Sequence, residues 1–138
     1  LNIVSMMWAD DFKPDIVVGI TRGGLLPAIM ISHYLGIKMH TFDVRLRDAK
    51  IKENAKYLKS EMIKGKKILI IDDINDTGET FKWIRDDWDI NYDSEKSNVK
   101  FAALVDNIPS EFVVEYNGIE INKEENPEWI IFPYEEWW

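Results

Sequence analysis

Asp72, Asp73 and Asp76 lie close together in the stretch KKILIIDDINDTGET (residues 66–80), which ends in Thr77-Gly78-Glu79-Thr80. Its carboxylates would repel a phosphate, yet a Thr-Gly-Glu-Thr turn leading into a helix is suited to bind one. Such a turn aims backbone N–H groups at one point, and the helix dipole adds positive potential. Gly78 lets the backbone come close or take positive φ, and Thr77 and Thr80 offer hydroxyl donors. Glu79 can point its side chain away, so a phosphate there need not meet a carboxylate. Asp72 and Asp73 suit other work, because ionised carboxylates accept hydrogen bonds from a vicinal diol and are hard oxygen ligands for Mg²⁺. Asp76, nearer the turn, could take a proton. On spacing alone, an ordinary strand end with an aspartate capping the next helix stays open. A second candidate is Thr21-Arg22-Gly23-Gly24, which also begins where an apolar run stops.

These residues need elements to hold them. DIVVGI (residues 15–20) is a short apolar run rich in β-branched residues, as for a strand buried on both faces. A helix follows in LLPAIMISHYLG, with Pro27 in its first turn and Gly36 as its stop. Further strands are expected over 38–44, 66–71 and 100–105. A helix is expected from Thr80 to about Trp88, with Phe81, Ile84 and Trp88 forming a core stripe. Strands alternating with helices predict an α/β fold with a mostly parallel central sheet. Ligands of such sheets bind at the carboxyl ends of the strands, which puts both candidate stretches on one edge. The charged segment of about 45–65 reads equally as a functional lid or a solvated helix. The acidic, aromatic tail from Phe112, with Asn-Gly and Asn-Pro turn signals, reads as a small appended hood. The division expected is a core of about 1–107 and a hood of about 108–138 within one domain.

Composition removes several classes of function. The net charge of −8 leaves no broad basic surface for nucleic acid or anionic lipid. With no cysteine there can be no disulfide, thiolate nucleophile or cysteine-ligated zinc. His33 and His40 lack metal-ligand spacing. No apolar run approaches the ~18 residues of a membrane span, and no signal peptide is visible. The expectation is a soluble, cytoplasmic protein. The chain starts at Leu1 in mid-pattern, which suggests residues upstream.

ILIIDDINDTGET closely resembles the phosphoribosyl-pyrophosphate (PRPP) signature of type I phosphoribosyltransferases: an apolar strand, two acids, two variable residues, then Asp-Thr-Gly-x-Thr. GITRGGLLPA resembles the pyrophosphate loop of the same family, and EWIIFPYEEWW the end of its xanthine-guanine branch. The resemblance implies that Asp72 and Asp73 bind the ribose hydroxyls and Mg²⁺, and that Thr77, Gly78, Glu79 and Thr80 cradle the 5′-phosphate. It implies Asp76 as general base near N7 of a purine. Thr21, Arg22, Gly23 and Gly24 would bind pyrophosphate, with a cis peptide at Thr21–Arg22. Trp129 would stack on the base, Ile130 would read it through its backbone, and the segment of about 45–65 would be a mobile catalytic loop. The implied reaction is transfer of the 5-phosphoribosyl group from PRPP to a 6-oxopurine such as guanine, xanthine or hypoxanthine. Its products are a nucleoside monophosphate and pyrophosphate, and the enzyme would be a homo-oligomer, a dimer or tetramer. At one place the chain departs from that branch: a lysine usual after the strand following the PRPP motif is replaced by Asp106-Asn107, where Asn107 would donate to the base without charge. The departure keeps a second reading in view, a non-catalytic PRPP- or nucleotide-binding regulatory module of the same fold.

Overall fold

The computed structural model describes residues 2–44 and 53–135. In chain order it contains α1 (Asn2–Ala9), β1 (Ile16–Ile20), α2 (Leu25–Leu35), β2 (Lys38–Phe42), α3 (Glu53–Ile63), β3 (Ile68–Asn75), α4 (Glu79–Asp87), β4 (Val99–Asn107) and β5 (Tyr116–Ile121). A single 3₁₀ turn, Pro133–Glu135, follows in the tail. The five strands form one sheet in the order β2-β1-β3-β4-β5, every neighbouring pair parallel. Among the described residues no helix is long and apolar enough to cross a membrane.

The sheet is covered on both faces because its central strands are apolar on both. Alternation sends Ile16, Val18, Ile20, Ile68 and Ile70 to one side, where Leu58 of α3 and Phe81 and Ile84 of α4 meet them beside Trp88. Val17, Leu69 and Ile71 face the other side, against Ile3, Val4 and Met7 of α1 and Ala28 and Ile31 of α2. Gly36 ends α2 as expected, at φ +66° with its N–H bonded to the Ser32 carbonyl.

Two strands run further than their apolar runs suggest. β3 continues through Asp72 and Asp73 to Asn75, because β4 pairs with it that far (Asp72 with Ala103, Asn75 with Asp106). β4 likewise reaches Asn107. Backbone pairing, not side-chain polarity, sets these ends.

The expected boundary between core and hood near residue 107 moves. Residues 116–121 form β5, a full strand of the main sheet, and Asn117-Gly118 lies within it instead of turning the chain. A Cβ on Gly118 would stand 2.5 Å from the Leu104 carbonyl oxygen, so the glycine permits close approach to β4. At the start of α1, the Asn2 side-chain amide donates to the Asn117 and Gly118 carbonyls, which ties the helix to β5.

The charged segment of 45–65 also divides. From Glu53 onward it is α3, whose Leu58 is fully buried in the core and whose Lys59 pairs with Asp87 of α4. This part is a packed helix; residues 45–52, the rest of the expected loop, lie outside the described residues.

Asn75 ties the sheet to the connection that follows β4. It is 2% exposed, and its amide donates to Asp106 Oδ1 and to the Phe112 carbonyl, both at 2.7 Å. Its Oδ1 accepts from Ser110 Oγ at 3.1 Å. A buried polar group stripped of its partner costs about 1–3 kcal/mol. Asn75→Ala, which strands the Phe112 carbonyl, is therefore expected to lower unfolding free energy by about 2–3 kcal/mol in chemical denaturation. A loss under about 0.5 kcal/mol, the usual size for a surface change, would refute the brace.

Candidate functional site

The carboxyl ends of β1, β3, β4 and β5 bring the candidate residues to one edge. After β1 the chain turns through Thr21–Gly24, anchored by Thr21 N–H to the Phe42 carbonyl at 2.9 Å and Gly24 N–H to the Ile20 carbonyl at 2.9 Å. The Thr21–Arg22 peptide is cis. Arg22 is exposed at the head of the turn. A Cβ on Gly23 would lie 2.0 Å from Asp73 Oδ2, and one on Gly24 would lie 2.3 Å from the Ile71 carbonyl oxygen. The turn after β1 thus packs directly on the acidic end of β3, and only glycine leaves the room.

Asp72 and Asp73 are half-buried neighbours. Asp72 Oδ1 accepts from Asp73 N–H at 2.9 Å, and Asp73 Oδ1 from Ile74 N–H at 2.8 Å. Burial, then the charge of Asp73 and a side-chain hydrogen bond with it, push Asp72 from 3.8 up to about 8. Folding therefore takes up a proton in that pH window, and the Asp72 carboxyl weighs against folding as pH rises through it. Tyr134 from the tail reaches the same place. Its hydroxyl stands 3.5 Å from the Gly23 carbonyl, and burial followed by Asp73, Glu135 and Asp72 pushes its phenol well up.

The turn Asp76–Gly78 leads into α4. Gly78 takes φ +88°, and a Cβ there would meet the Phe112 backbone nitrogen at 2.6 Å. Glu111 N–H donates to the Thr77 carbonyl at 3.0 Å, holding the turn from behind. Thr77 Oγ1 accepts from Glu79 N–H at 3.3 Å, and the Glu79 side chain is exposed. The first turn of α4 leaves backbone N–H groups without intrahelical partners, as every helix start does.

Asp76 is gripped from two strands. Asn107 Nδ2 donates to the Asp76 carbonyl at 3.0 Å and stands 3.5 Å from its Oδ1. Lys123, just past β5, places Nζ 3.0 Å from Asp76 Oδ2 and sends its own N–H to Asn107 Oδ1 at 3.0 Å. The same ammonium lies 5.6 Å from the centre of the Trp129 ring. Trp129 itself is 81% exposed, and Ile130 beside it is half-buried.

The structure thus gathers Thr21–Gly24, Asp72, Asp73, Asp76 and the Thr77–Thr80 turn at one sheet edge, with Trp129 above Lys123. Asn107 spends its amide on Asp76 and its oxygen on Lys123, behind the site. Asp106, its neighbour, accepts from Asn75, and its carboxyl is raised chiefly by burial. Sequence reasoning missed Lys123 and Tyr134. Lys123 sits among charged turn residues with no spacing signal, whereas Tyr134 lay inside the quoted aromatic tail.

A family model described as the phosphoribosyl transferase domain matches residues 3–136. Over 74 residues the chain is 36% identical to a xanthine-guanine phosphoribosyltransferase of Cereibacter sphaeroides, a match covering 50% of this chain and 44% of that protein. Among solved structures, the purine phosphoribosyltransferase of Pyrococcus horikoshii superposes with a TM-score of 0.68 at 27% identity, covering 99% of this chain and 88% of that one. The xanthine-guanine-hypoxanthine phosphoribosyltransferase of Helicobacter pylori gives 0.64 at 16% identity, covering 98% and 86%, a likeness of fold. The parallel sheet with helices on both faces is the type I phosphoribosyltransferase fold, and with the family model aligned along almost its whole length the chain belongs to the phosphoribosyltransferase family.

Proposed function

We propose that the chain transfers the 5-phosphoribosyl group of PRPP to a 6-oxopurine, releasing pyrophosphate. The observation that carries this reading is the seating of Gly23 against the Asp73 carboxylate. It joins a turn suited to pyrophosphate to a diol-binding acid pair, with the helix-start turn of Gly78 beyond. One bound molecule could then meet all three. The purine names of the relatives in Pyrococcus and Cereibacter support the choice of base.

Thr77, Gly78 and Thr80 would hold the 5′-phosphate by backbone and hydroxyl donors, and Asp72 and Asp73 the ribose hydroxyls. Arg22 would fork onto pyrophosphate oxygens as their charge grows. The acid pair also fits a divalent cation, since burial and mutual repulsion are what such an ion relieves. Among the described residues no group of three or more His, Asp or Glu side chains could hold a metal, so Mg²⁺ at Asp72 and Asp73 would take its other ligands from substrate and water. Bound there, it would offset charge on the leaving pyrophosphate. As purine N9 forms its bond to C1′, the C1′–O bond breaks with its electrons to pyrophosphate, and Asp76 takes the N7 proton. Trp129 would cover the base face and the Ile130 backbone its edge.

Asp76→Asn is expected to lower kcat by ~10² to 10⁴ while leaving PRPP affinity nearly intact, as steady-state assay and calorimetry would report. Unchanged turnover removes Asp76 from the chemistry. If wild type binds PRPP yet turns over no purine, the chain is a PRPP-binding module instead. Arg22→Lys should weaken PRPP binding and pyrophosphate inhibition together, because an ammonium cannot bridge two oxygens as a planar fork does. Wild-type pyrophosphate affinity in that variant speaks against the role. Trp129→Ala should raise the KM for the base by about tenfold, the low end of stacking energies, with PRPP binding unmoved. Base kinetics that do not respond exclude Trp129 as the stacking face.

A further inference from the structure

We propose that the groove between the loop after α4 and the segment that follows β4 is a second binding site, for a small organic carboxylate with an apolar body, anchored by Arg85. The groove has a volume of about 350 Å³, at the small end of the ~300–1,000 Å³ typical of ligand sites. Arg85 of α4 lines it, with Tyr92 from the loop and Phe112 and Val113 from the segment. It is separate from the sheet edge described above. Phe112 stands between the two, with its backbone nitrogen toward Gly78 and its ring toward Arg85. Occupancy of the groove is therefore independent of the proposed transfer.

The groove leaves one charge unanswered. Arg85 is half-buried, yet among the described residues it forms no ion pair, and its Nε is buried with no hydrogen-bond partner. The carboxylates nearby are each engaged. Glu115 accepts from Ser94 Oγ at 2.9 Å and from Phe101 N–H at 2.7 Å. Glu111 faces Lys82 at 3.6 Å, and Asp86 accepts from the Tyr92 hydroxyl at 2.5 Å. Two rings hold the guanidinium, with Tyr92 and Phe112 centred 4.0 Å and 4.7 Å from it. Ring faces attract the charge without supplying an oxygen acceptor, and a charge withdrawn from water is ordinarily paired. A carboxylate is the planar acceptor that matches a guanidinium fork. The last turn of α4 favours a cation, which explains the charge but not the groove beside it. The apolar body follows from the rim, where Tyr92 is 70% exposed and Val113 84%. An inorganic anion would pair with Arg85 and leave both in water.

The test titrates nitrogen-labelled protein with 3-phenylpropionate and with its neutral counterpart, 3-phenylpropionamide, while the Arg85 Nε–H and the Val113 and Gly78 amide resonances are followed. The acid should shift Arg85 and Val113 saturably, with a dissociation constant below about 1 mM. The amide should bind at least about tenfold more weakly, in keeping with the loss of a charged hydrogen bond. Arg85→Gln should weaken the acid about tenfold. Because that change also removes ring contacts, Val113→Asp at the exposed rim serves as a second variant. Its added carboxylate should weaken the acid at least about threefold more than the amide. Acid and amide that bind alike would make the groove a mere apolar cleft and overturn the proposal. So would the absence of a saturable Arg85 shift up to about 10 mM acid, or an acid affinity that neither variant changes. A shift at Gly78 with none at Arg85 would put the acid at the sheet edge instead, and overturn it equally.

Discussion

The contact on which the site depends is the one between Gly23-Gly24 and the end of β3. Asp73 Oδ2 and the Ile71 carbonyl occupy the volumes that two Cβ atoms would need. The Ile71 carbonyl belongs to a paired strand and the Asp73 carboxylate accepts from Ile74 N–H at 2.8 Å, so neither steps aside as the tip of a long side chain can. The turn after β1 is therefore seated at a fixed height above the acid pair, and the parallel register of Ile16–Gly19 with Ile68–Ile71 sets that height. Any molecule that bridges the two motifs meets a spacing decided by sheet geometry.

The connection from β4 to β5 has a comparable influence from the opposite side. It is short, carries no helix, and returns across the face covered by α4, burying Phe112 and Val114 in the core with Phe81 and Phe101. On the way Glu111 bonds the Thr77 carbonyl, and Ser110 and the Phe112 carbonyl bond Asn75. One segment thus completes the hydrophobic core, closes the sheet and backs the turn at Gly78.

Much of this was legible in the residues. The apolar runs of β1 and β3, the stop at Gly36 and the stripe Phe81, Ile84, Trp88 carry local signals that tertiary structure reinforces. The clustering of Thr21–Gly24 with residues 72–80 followed from the rule that parallel strands bind at their carboxyl ends. β5 was hidden because Asn117-Gly118 is a turn signal by type. Here the signal is overridden by pairing with β4 and by the Asn2 amide on the Asn117 and Gly118 carbonyls. α1 was hidden because it has no acidic residue in its first turn and no basic residue in its last, so charge marks neither end. Lys123 was unreadable for a different reason. Its neighbours in the site, Asp76 and Asn107, are 47 and 16 residues away, and only the sheet order makes them adjacent.

The turn at Thr77–Gly78 is held from beneath before any ligand arrives, by Glu111 at one end and the Phe112 backbone at the other. Its conformational freedom was surrendered during folding, so the phosphate proposed to bind there would have little backbone left to immobilise. The two halves of the site then differ in thermodynamic character. On the proposed reading, the phosphate end would be a preformed receptor whose affinity comes from contacts. The base end on the same reading would differ, since Trp129 stands mostly in water and would lose side-chain entropy on covering a ligand.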